Sequence, residues 1–131
     1  MIEISNLKKY TVAKGQGVRL EAKIKFFDID AACPAKTLYF EIRKDYGEMF
    51  STDTYDAFFL IGLYLAMYHK TPLRIRGNVS KKLYKNAKWY IQKILCDFSD
   101  LLAPVEIIVD GFAPTKGNGL LIGTGISCGV D

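Results

Sequence analysis

The stretch Leu73–Val109, LRIRGNVSKKLYKNAKWYIQKILCDFSDLLAPVEIIV, decides the fold of this chain. Its opening LRIR alternates apolar and charged residues and its closing VEIIV is rich in β-branched residues, so each end predicts a strand. Between them, Ser80 is a typical helix N-cap, and apolar residues then recur at steps of three and four as far as Leu95. Two strands joined by one helix at this length are typical of a right-handed crossover between parallel strands.

The amphipathic helix of this stretch has a predicted core-facing stripe, which consists of Leu83, Ala87, Tyr90, Ile91, Ile94 and Leu95. Lysines fill much of the remainder, at positions 81, 82, 85, 88 and 93. Aromatic residues at helical spacing usually belong to the core, so we expect Trp89 and Tyr90 to be buried. A stacking platform for nucleic acid would need them exposed, and we therefore expect no nucleic-acid partner.

Upstream of this unit, the pattern predicts antiparallel strands. Val18–Phe26 (VRLEAKIKF) alternates apolar and charged residues over nine positions. Thr37–Arg43 shows the same alternation with β-branched and aromatic residues, and Ile2–Tyr10 shows it more weakly. Gly15 and Gly17 separate Ile2–Tyr10 from Val18–Phe26. The segment around Pro34 separates Val18–Phe26 from Thr37–Arg43. We expect a three-stranded antiparallel meander.

A helix is predicted between Ser51 and Lys70, because DAFFLIGLYLAMYHK is rich in helix formers and is apolar almost all round. Its composition predicts deep burial. Ser51, Asp53 or Thr54 would cap its start, and Pro72 would end it.

The fold class predicted from these segments is mixed α/β (α+β). It comprises the N-terminal meander, a buried helix, the βαβ unit and a final strand, LLIGTGI (Leu120–Ile126), that leads into a truncated nucleotide-binding sheet. We expect residues 1–110 to form one domain and residues 111–131 to form the loop, first strand and partial phosphate-binding loop of a second, missing domain.

Composition is that of an ordinary folded protein, with half of its 131 residues hydrophobic and a net charge of +4. The three cysteines are far apart and form no CxxC or Cys/His cluster, which argues against a disulfide framework and a metal site. The longest apolar run, Ala57–Met67, has 11 residues, short of the roughly 20 that span a bilayer. We expect a cytoplasmic protein with no membrane passage.

The residues SCGVD (Ser127–Asp131) follow the apolar LLIGTGI segment. A buried strand followed by a loop of Ser, Gly and Asp is how α/β proteins build a cradle for a phosphate, because small residues let backbone N–H groups approach the anion. The sequence therefore predicts a phosphate site here.

This ending resembles the Ser-Gly-Gly-x-Asp-Ser loop of the PP-loop ATP pyrophosphatases. Ser127, Gly129 and Asp131 match in register, Cys128 stands where the family usually has its first glycine, Val130 occupies the variable position, and the final serine would follow Asp131. The segment Thr71–Leu95 also resembles a region upstream of the loop in proteins related to deazaguanine synthases and in a muropeptide glutamate epimerase group. Together the similar segments span approximately Leu38–Asp131.

The resemblance implies that the backbone of Ser127–Asp131 and the Ser127 hydroxyl bind ATP phosphates, and that Asp131 orients the loop or faces the metal-bound pyrophosphate. It implies ATP and Mg²⁺ for a full-length parent, a missing C-terminal nucleotide-binding domain as partner, and no tight cofactor binding by this chain alone. In such proteins ATP adenylates a carboxylate or carbonyl oxygen, which a nucleophile then attacks.

Other polar residues have two interpretations each. Arg74 and Arg76 share a strand face and could hold an anionic substrate, or could be solvated charges. Asp28 and Asp30 could be paired carboxylates, although aspartates at strand ends are mostly turn formers. His69, the only histidine, is better explained as a helix C-terminal residue than as a general base.

Two function classes remain open at this stage. The first is an ATP-dependent ligase or modifying enzyme, to which this chain contributes substrate-side scaffold and half of the phosphate loop. The second is a non-enzymatic interaction or assembly module with a coincidental Gly-rich tail. In either case an exposed apolar surface would serve a missing domain or a homo-oligomer.

Overall fold

A single mixed sheet organises the computed structural model, which describes residues 1–27 and 35–114. The five strands of this described part are β1 (Ile2–Val12), β2 (Gly17–Phe26), β3 (Ala35–Arg43), β4 (Leu73–Ser80) and β5 (Ile107–Ala113). They lie in the order β3-β2-β1-β4-β5. The pairs β1–β2 and β2–β3 are antiparallel, whereas β1–β4 and β4–β5 are parallel. The predicted mixed α/β class, the meander and the parallel pair are confirmed.

The helices follow the predicted order. Helix α1 spans Asp56–Tyr68, and the crossover between β4 and β5 contains α2 (Lys81–Asn86), a π turn (Ala87–Ile91) and α3 (Gln92–Phe98). Short 3-10 turns occupy Ala13–Gly15 and Lys44–Met49. No helix in the two described ranges is long and apolar enough to cross a membrane. The last predicted strand, Leu120–Ile126, lies outside the described residues.

Strand β1 joins the two halves of the fold, because it pairs with β2 on one side and with β4 on the other. Its parallel register with β4 sets Ile2 beside Leu73 and Ile4 beside Ile75, and the Ile2 amide donates to the Pro72 carbonyl at 2.9 Å. The meander and the βαβ unit therefore share one sheet and one core.

The core lies on one face of this sheet. Ile4 is level with Ile24 on β2 and with Ile75 on β4, and all three are buried. Residues of α1 and of the α2–α3 segment join these strand residues in a single hydrophobic cluster, so both helical segments cover the same face. The structure is a two-layer α/β arrangement whose other sheet face carries the charged positions of the strands.

Helix α1 buries one face, including Phe58, Phe59, Leu63 and Met67. The expectation of burial all round is not met, because the helix packs on a single sheet and its outer residues, such as Leu60 and Tyr64, are exposed. The predicted cap is wrong as well. The N-cap position is Tyr55, which makes no side-chain cap bond, because its ring is tucked against Gly77 and its hydroxyl accepts the Leu7 amide at 3.1 Å.

In the crossover helix, the predicted cap is confirmed and part of the predicted stripe is wrong. The Ser80 hydroxyl accepts the Leu83 amide at 3.3 Å. Trp89 and Tyr90, expected in the core, are each 64% exposed. The π turn accounts for Tyr90, because its wider winding turns this residue away from the sheet and makes Gln92 the next buried position after Ala87. Trp89 lies two residues after the buried Ala87, on the outer side of the helix.

Replacing Gly77 by alanine should lower the free energy of unfolding by about 2–4 kcal/mol. Gly77 has a φ of 151°, and an added Cβ would overlap the Tyr55 ring. Gly15→Ala is the matched control, because Gly15 also has a positive φ of 91° but open space around it. It should cost only about 1 kcal/mol. Urea denaturation followed by circular dichroism measures both, and equal losses would contradict the contact with Tyr55.

Candidate functional site

The open sheet face carries a row of charged side chains across β2, β1, β4 and β5. Glu3 on β1 is level with Lys25 on β2 and with Arg74 on β4, while Asp110 on β5 lies further along the same face. Because the strand period is two, all of these side chains point away from the helices. This face is therefore a candidate site for a charged ligand.

Glu3 and Arg76 form the shortest ion pair that the described residues make on this face. The Arg76 Nε donates to the Glu3 carboxylate at 2.7 Å, and Glu3 is only 7% exposed. A buried carboxylate must be paired because it has lost its water, so Arg76 compensates Glu3. Arg76 itself remains exposed and keeps its other guanidinium donors for a further acceptor.

Arg74 is less completely paired than its neighbour. Its Nη2 lies 3.5 Å from the Asp110 carboxylate, which is ion-pair distance rather than a short hydrogen bond. Its Nε is buried and has no hydrogen-bond partner. Because 30% of the Arg74 side chain is exposed while Nε is buried, an acceptor on this face would meet the terminal guanidinium nitrogens of Arg74 and not Nε.

A second polar cluster extends the open face toward β3. Arg19 bonds the Glu41 carboxylate at 2.9 Å and lies over the Tyr39 ring at 4.2 Å. The Tyr10 hydroxyl donates to Glu21 at 2.6 Å, and this bond raises the pKa of Tyr10 above its ordinary value. Tyr10 therefore stays a neutral donor, and the cluster is internally satisfied.

A cavity of about 200 Å³ lies at the carboxyl ends of β4 and β5. Its lining consists of Ser51, Asp53, Thr54, Asp56, Ser80, Ala113 and Pro114. The Asp56 carboxylate accepts the Ser80 amide at 2.8 Å, which ties the start of α1 to the start of α2. No local sequence pattern indicates this pairing, because 24 residues separate the partners. Ligands of open α/β sheets bind at this kind of edge.

The structure describes only some of the residues predicted to be functional. Arg74 and Arg76 lie together on the open face, and their substrate role stays a prediction. Ser127–Asp131, Asp28 and Asp30 lie outside the described residues. His69 is at the C-terminal cap of α1, with its ring against Tyr68 and Phe26, which agrees with a helix-end position.

The partners Glu3 and Asp110 were not predicted as part of any site. The signal for Glu3 was its place in an otherwise apolar strand start, IEI, where a charge on the open face needs a cation beside it. In residues 1–27 and 35–114, no group of three or more His, Cys, Asp or Glu side chains could hold a metal ion.

Comparisons with protein families, with curated proteins and with solved structures gave no match to this chain.

Removing Arg76 should destabilise the protein more than removing Arg74. Arg76→Ala leaves the buried Glu3 carboxylate without its partner, so we expect the free energy of unfolding to fall by about 1–3 kcal/mol. This loss is smaller than for a fully buried ion pair, because Arg76 is exposed and water screens its charge. Arg74→Ala removes only a long contact to the exposed Asp110 and should cost less than about 1 kcal/mol. Chemical denaturation checks the order, and Glu3→Gln combined with Arg76→Ala should recover part of the loss.

Proposed function

We propose that this chain supplies substrate-side scaffold and part of the ATP phosphate loop of a PP-loop ATP-dependent adenylating ligase or modifying enzyme. The observation that carries the proposal is SCGVD (Ser127–Asp131) directly after the apolar segment Leu120–Ile126. Small residues after a buried strand are what a backbone cradle for phosphate requires.

The architecture of the described residues supports this proposal. Strands β1, β4 and β5 run parallel, and the cavity with Asp56 and Ser80 lies at the carboxyl ends of β4 and β5. The chain leaves β5 at Ala113, at that same edge, before it continues toward Ser127. Nucleotides and their co-substrates bind at this edge in open α/β sheets.

The proposed reaction is adenylation of a carboxylate or carbonyl oxygen. That oxygen attacks the α-phosphorus of ATP, the bond from the α-phosphorus to the bridging oxygen breaks, and pyrophosphate leaves with the electron pair. An incoming nucleophile then displaces AMP. The Ser127 hydroxyl and the loop amides would stabilise charge on the departing pyrophosphate, and Mg²⁺ would add positive charge to the same group.

Arg74 and Arg76 would hold the distal part of the substrate in this proposal, since they lie in the first half of β4, away from the cavity edge at Ser80. Both lie on the open face, and the partly exposed guanidinium of Arg74 suits an oxyanion such as a carboxylate. Glu3 would hold Arg76 in place through the 2.7 Å bond, so that less side-chain entropy is lost when the substrate binds.

The test uses the protein translated from the whole gene that contains this sequence, assayed for conversion of ATP to AMP and pyrophosphate. Ser127→Ala and Asp131→Asn should each lower ATP affinity or turnover at least about tenfold, because each removes a polar contact to a charged group. Asp97→Asn is the matched control, since Asp97 is exposed at the end of α3. Equal activity of all three variants would contradict the proposal.

The polypeptide of residues 1–131 should bind ATP only weakly, with a dissociation constant above about 100 μM, because Ser127–Asp131 alone would make few phosphate contacts. Isothermal titration calorimetry with ATP and Mg²⁺ checks this expectation. Micromolar affinity would mean that these residues already form a complete site.

A non-enzymatic assembly module is the alternative, and the exposed aromatic residues of the crossover helix favour it. Trp89, Tyr90 and Phe98 all project from the helical layer. Large exposed apolar groups mark interaction surfaces. Under this alternative, changes at Ser127 and Asp131 leave every binding property unchanged.

A further inference from the structure

Trp89 and Tyr90 lie on the outer side of the crossover helix, and each is 64% exposed. The expectation of no nucleic-acid partner assumed that both rings are buried in the core, and this assumption is wrong. A nucleic-acid base can stack only on an aromatic ring that is open to solvent. The exposed rings therefore meet the first requirement of a stacking platform.

Lysines surround these two rings. The segment from Lys81 to Cys96 contains five lysines and no acidic residue, and all five lysines are exposed. None of them forms an ion pair with another residue in the ranges 1–27 and 35–114. Acidic residues four positions from a lysine stabilise a helix, whereas Lys81 and Lys85, at that spacing, repel each other. The uncompensated positive charge therefore suits an anionic partner.

Three of the lysines form one row with the tryptophan, hereafter the lysine–tryptophan row, which consists of Lys81, Lys85, Trp89 and Lys93. The row advances by four residues, or roughly 6 Å, at each step. In a regular α-helix each such step drifts around the axis by about 40°, and the wider π turn offsets part of this drift. Lys85 and Lys93 thus flank Trp89 on the same side of the helix.

The opposite side of the helix fixes the orientation of the row. Ala87 and Gln92 are buried there, and the Gln92 side chain accepts the Val105 amide at 2.6 Å. The Lys88 ammonium group lies 5.4 Å from the centre of the Trp89 ring, at cation–π distance. The ring is therefore presented to solvent together with a positive charge.

We infer that the lysine–tryptophan row binds single-stranded nucleic acid. One base stacks on Trp89, a neighbouring base reaches Tyr90, and Lys85 and Lys93 pair with the phosphates on either side. The partner is a single strand rather than a duplex, because only unpaired bases can stack on the rings. Stacking and phosphate contacts read no base edges, so we expect little sequence preference.

This surface is separate from the proposed phosphate loop. It lies on the helical layer and includes none of the residues Ser127–Asp131, so the inference does not rest on the proposed adenylation. Loss of nucleic-acid binding and loss of ATP turnover are distinguishable, since different variants cause them.

The charges at the far end of the helix favour nucleic acid over a lipid surface. Phe98 and Leu101, which are 87% and 66% exposed, are the apolar groups that a membrane would take up. Asp97 and Asp100 are exposed next to them in the sequence, and anionic lipid headgroups would repel their carboxylates. A strand bound at the lysine–tryptophan row does not need this end of the helix.

Titration of the full chain with oligothymidylate or oligouridylate of about 15 nucleotides tests the inference, and the two strands distinguish DNA from RNA as the partner. Trp89 is the only tryptophan of the sequence, so its fluorescence reports this surface directly. Stacking should quench the emission, with a dissociation constant of about 1–100 μM at low salt.

Phosphatidylserine vesicles provide the comparison for this titration. Insertion of Trp89 into lipid would shift its emission to shorter wavelength instead of quenching it. A response to vesicles with none to either strand would identify a lipid surface and overturn the inference. Failure of both strands to bind at about 300 μM would overturn it as well.

Fluorescence anisotropy of a labelled strand measures the contribution of the ring. Trp89→Ala should weaken binding at least about tenfold, because the stacking of one base is lost. Phe98→Ala is the matched control, since Phe98 is an exposed aromatic residue of the same helix outside the lysine–tryptophan row, and it should bind like the parent chain. Equal weakening by both variants would contradict stacking at Trp89.

The salt dependence of binding measures the contribution of the lysines. Lys93→Ala should reduce the slope of log K against log salt by about 0.7, because one phosphate contact is lost. Lys36→Ala makes the same change of charge on β3, at the other edge of the sheet, and should leave the slope unchanged. Equal slopes for the two variants, or equally tight binding of a duplex, would indicate general attraction to a basic protein and overturn the inference.

Discussion

The parallel pairing of β1 with β4 is the interaction on which the rest of the structure depends. It brings Ile2 and Ile4 beside Leu73 and Ile75, and thereby fuses the meander and the crossover unit into one sheet. It also sets Glu3 level with Arg74 and within reach of Arg76. Both the common core and the charged cluster on the opposite face thus follow from one strand register.

The sheet has two different faces because both helical segments cover the same side. Two successive right-handed crossovers that move in one direction along a sheet must place their helices on one face. The uncovered face then needs charged side chains, and those near the centre of the sheet, such as Glu3, need partners as well. The outer side of α1 shows the opposite pattern, because it exposes apolar residues at positions where a surface helix normally has polar ones.

The sequence predicted elements better than surfaces. Alternation in Val18–Phe26 and the cap at Ser80 are local signals, and both are confirmed. Tyr90 could not be placed, because a π turn shifts the helix surface without a clear signature in the residues. Trp89 was misplaced for another reason, since helical spacing from the buried Ala87 already puts it on the outer side. Two further features depend on contacts between distant segments, which periodicity and composition do not encode. They are the N-cap position at Tyr55 and the hydrogen bond from the Ser80 amide to the Asp56 carboxylate. For the site, the sequence indicated the arginine pair. The charge within the strand start IEI was a signal for Glu3, whereas no local pattern indicated Asp110.

The place of β1 at the centre of the sheet also affects how the chain folds. Strands β1, β2 and β3 can associate soon after synthesis, yet the other side of β1 pairs with β4, about seventy residues further along. The apolar side of the nascent meander is uncovered until α1 has been made, and β1 lacks its parallel neighbour until β4 follows. An early intermediate of this kind presents the unpaired edge of β1, to which a strand of another nascent chain can add.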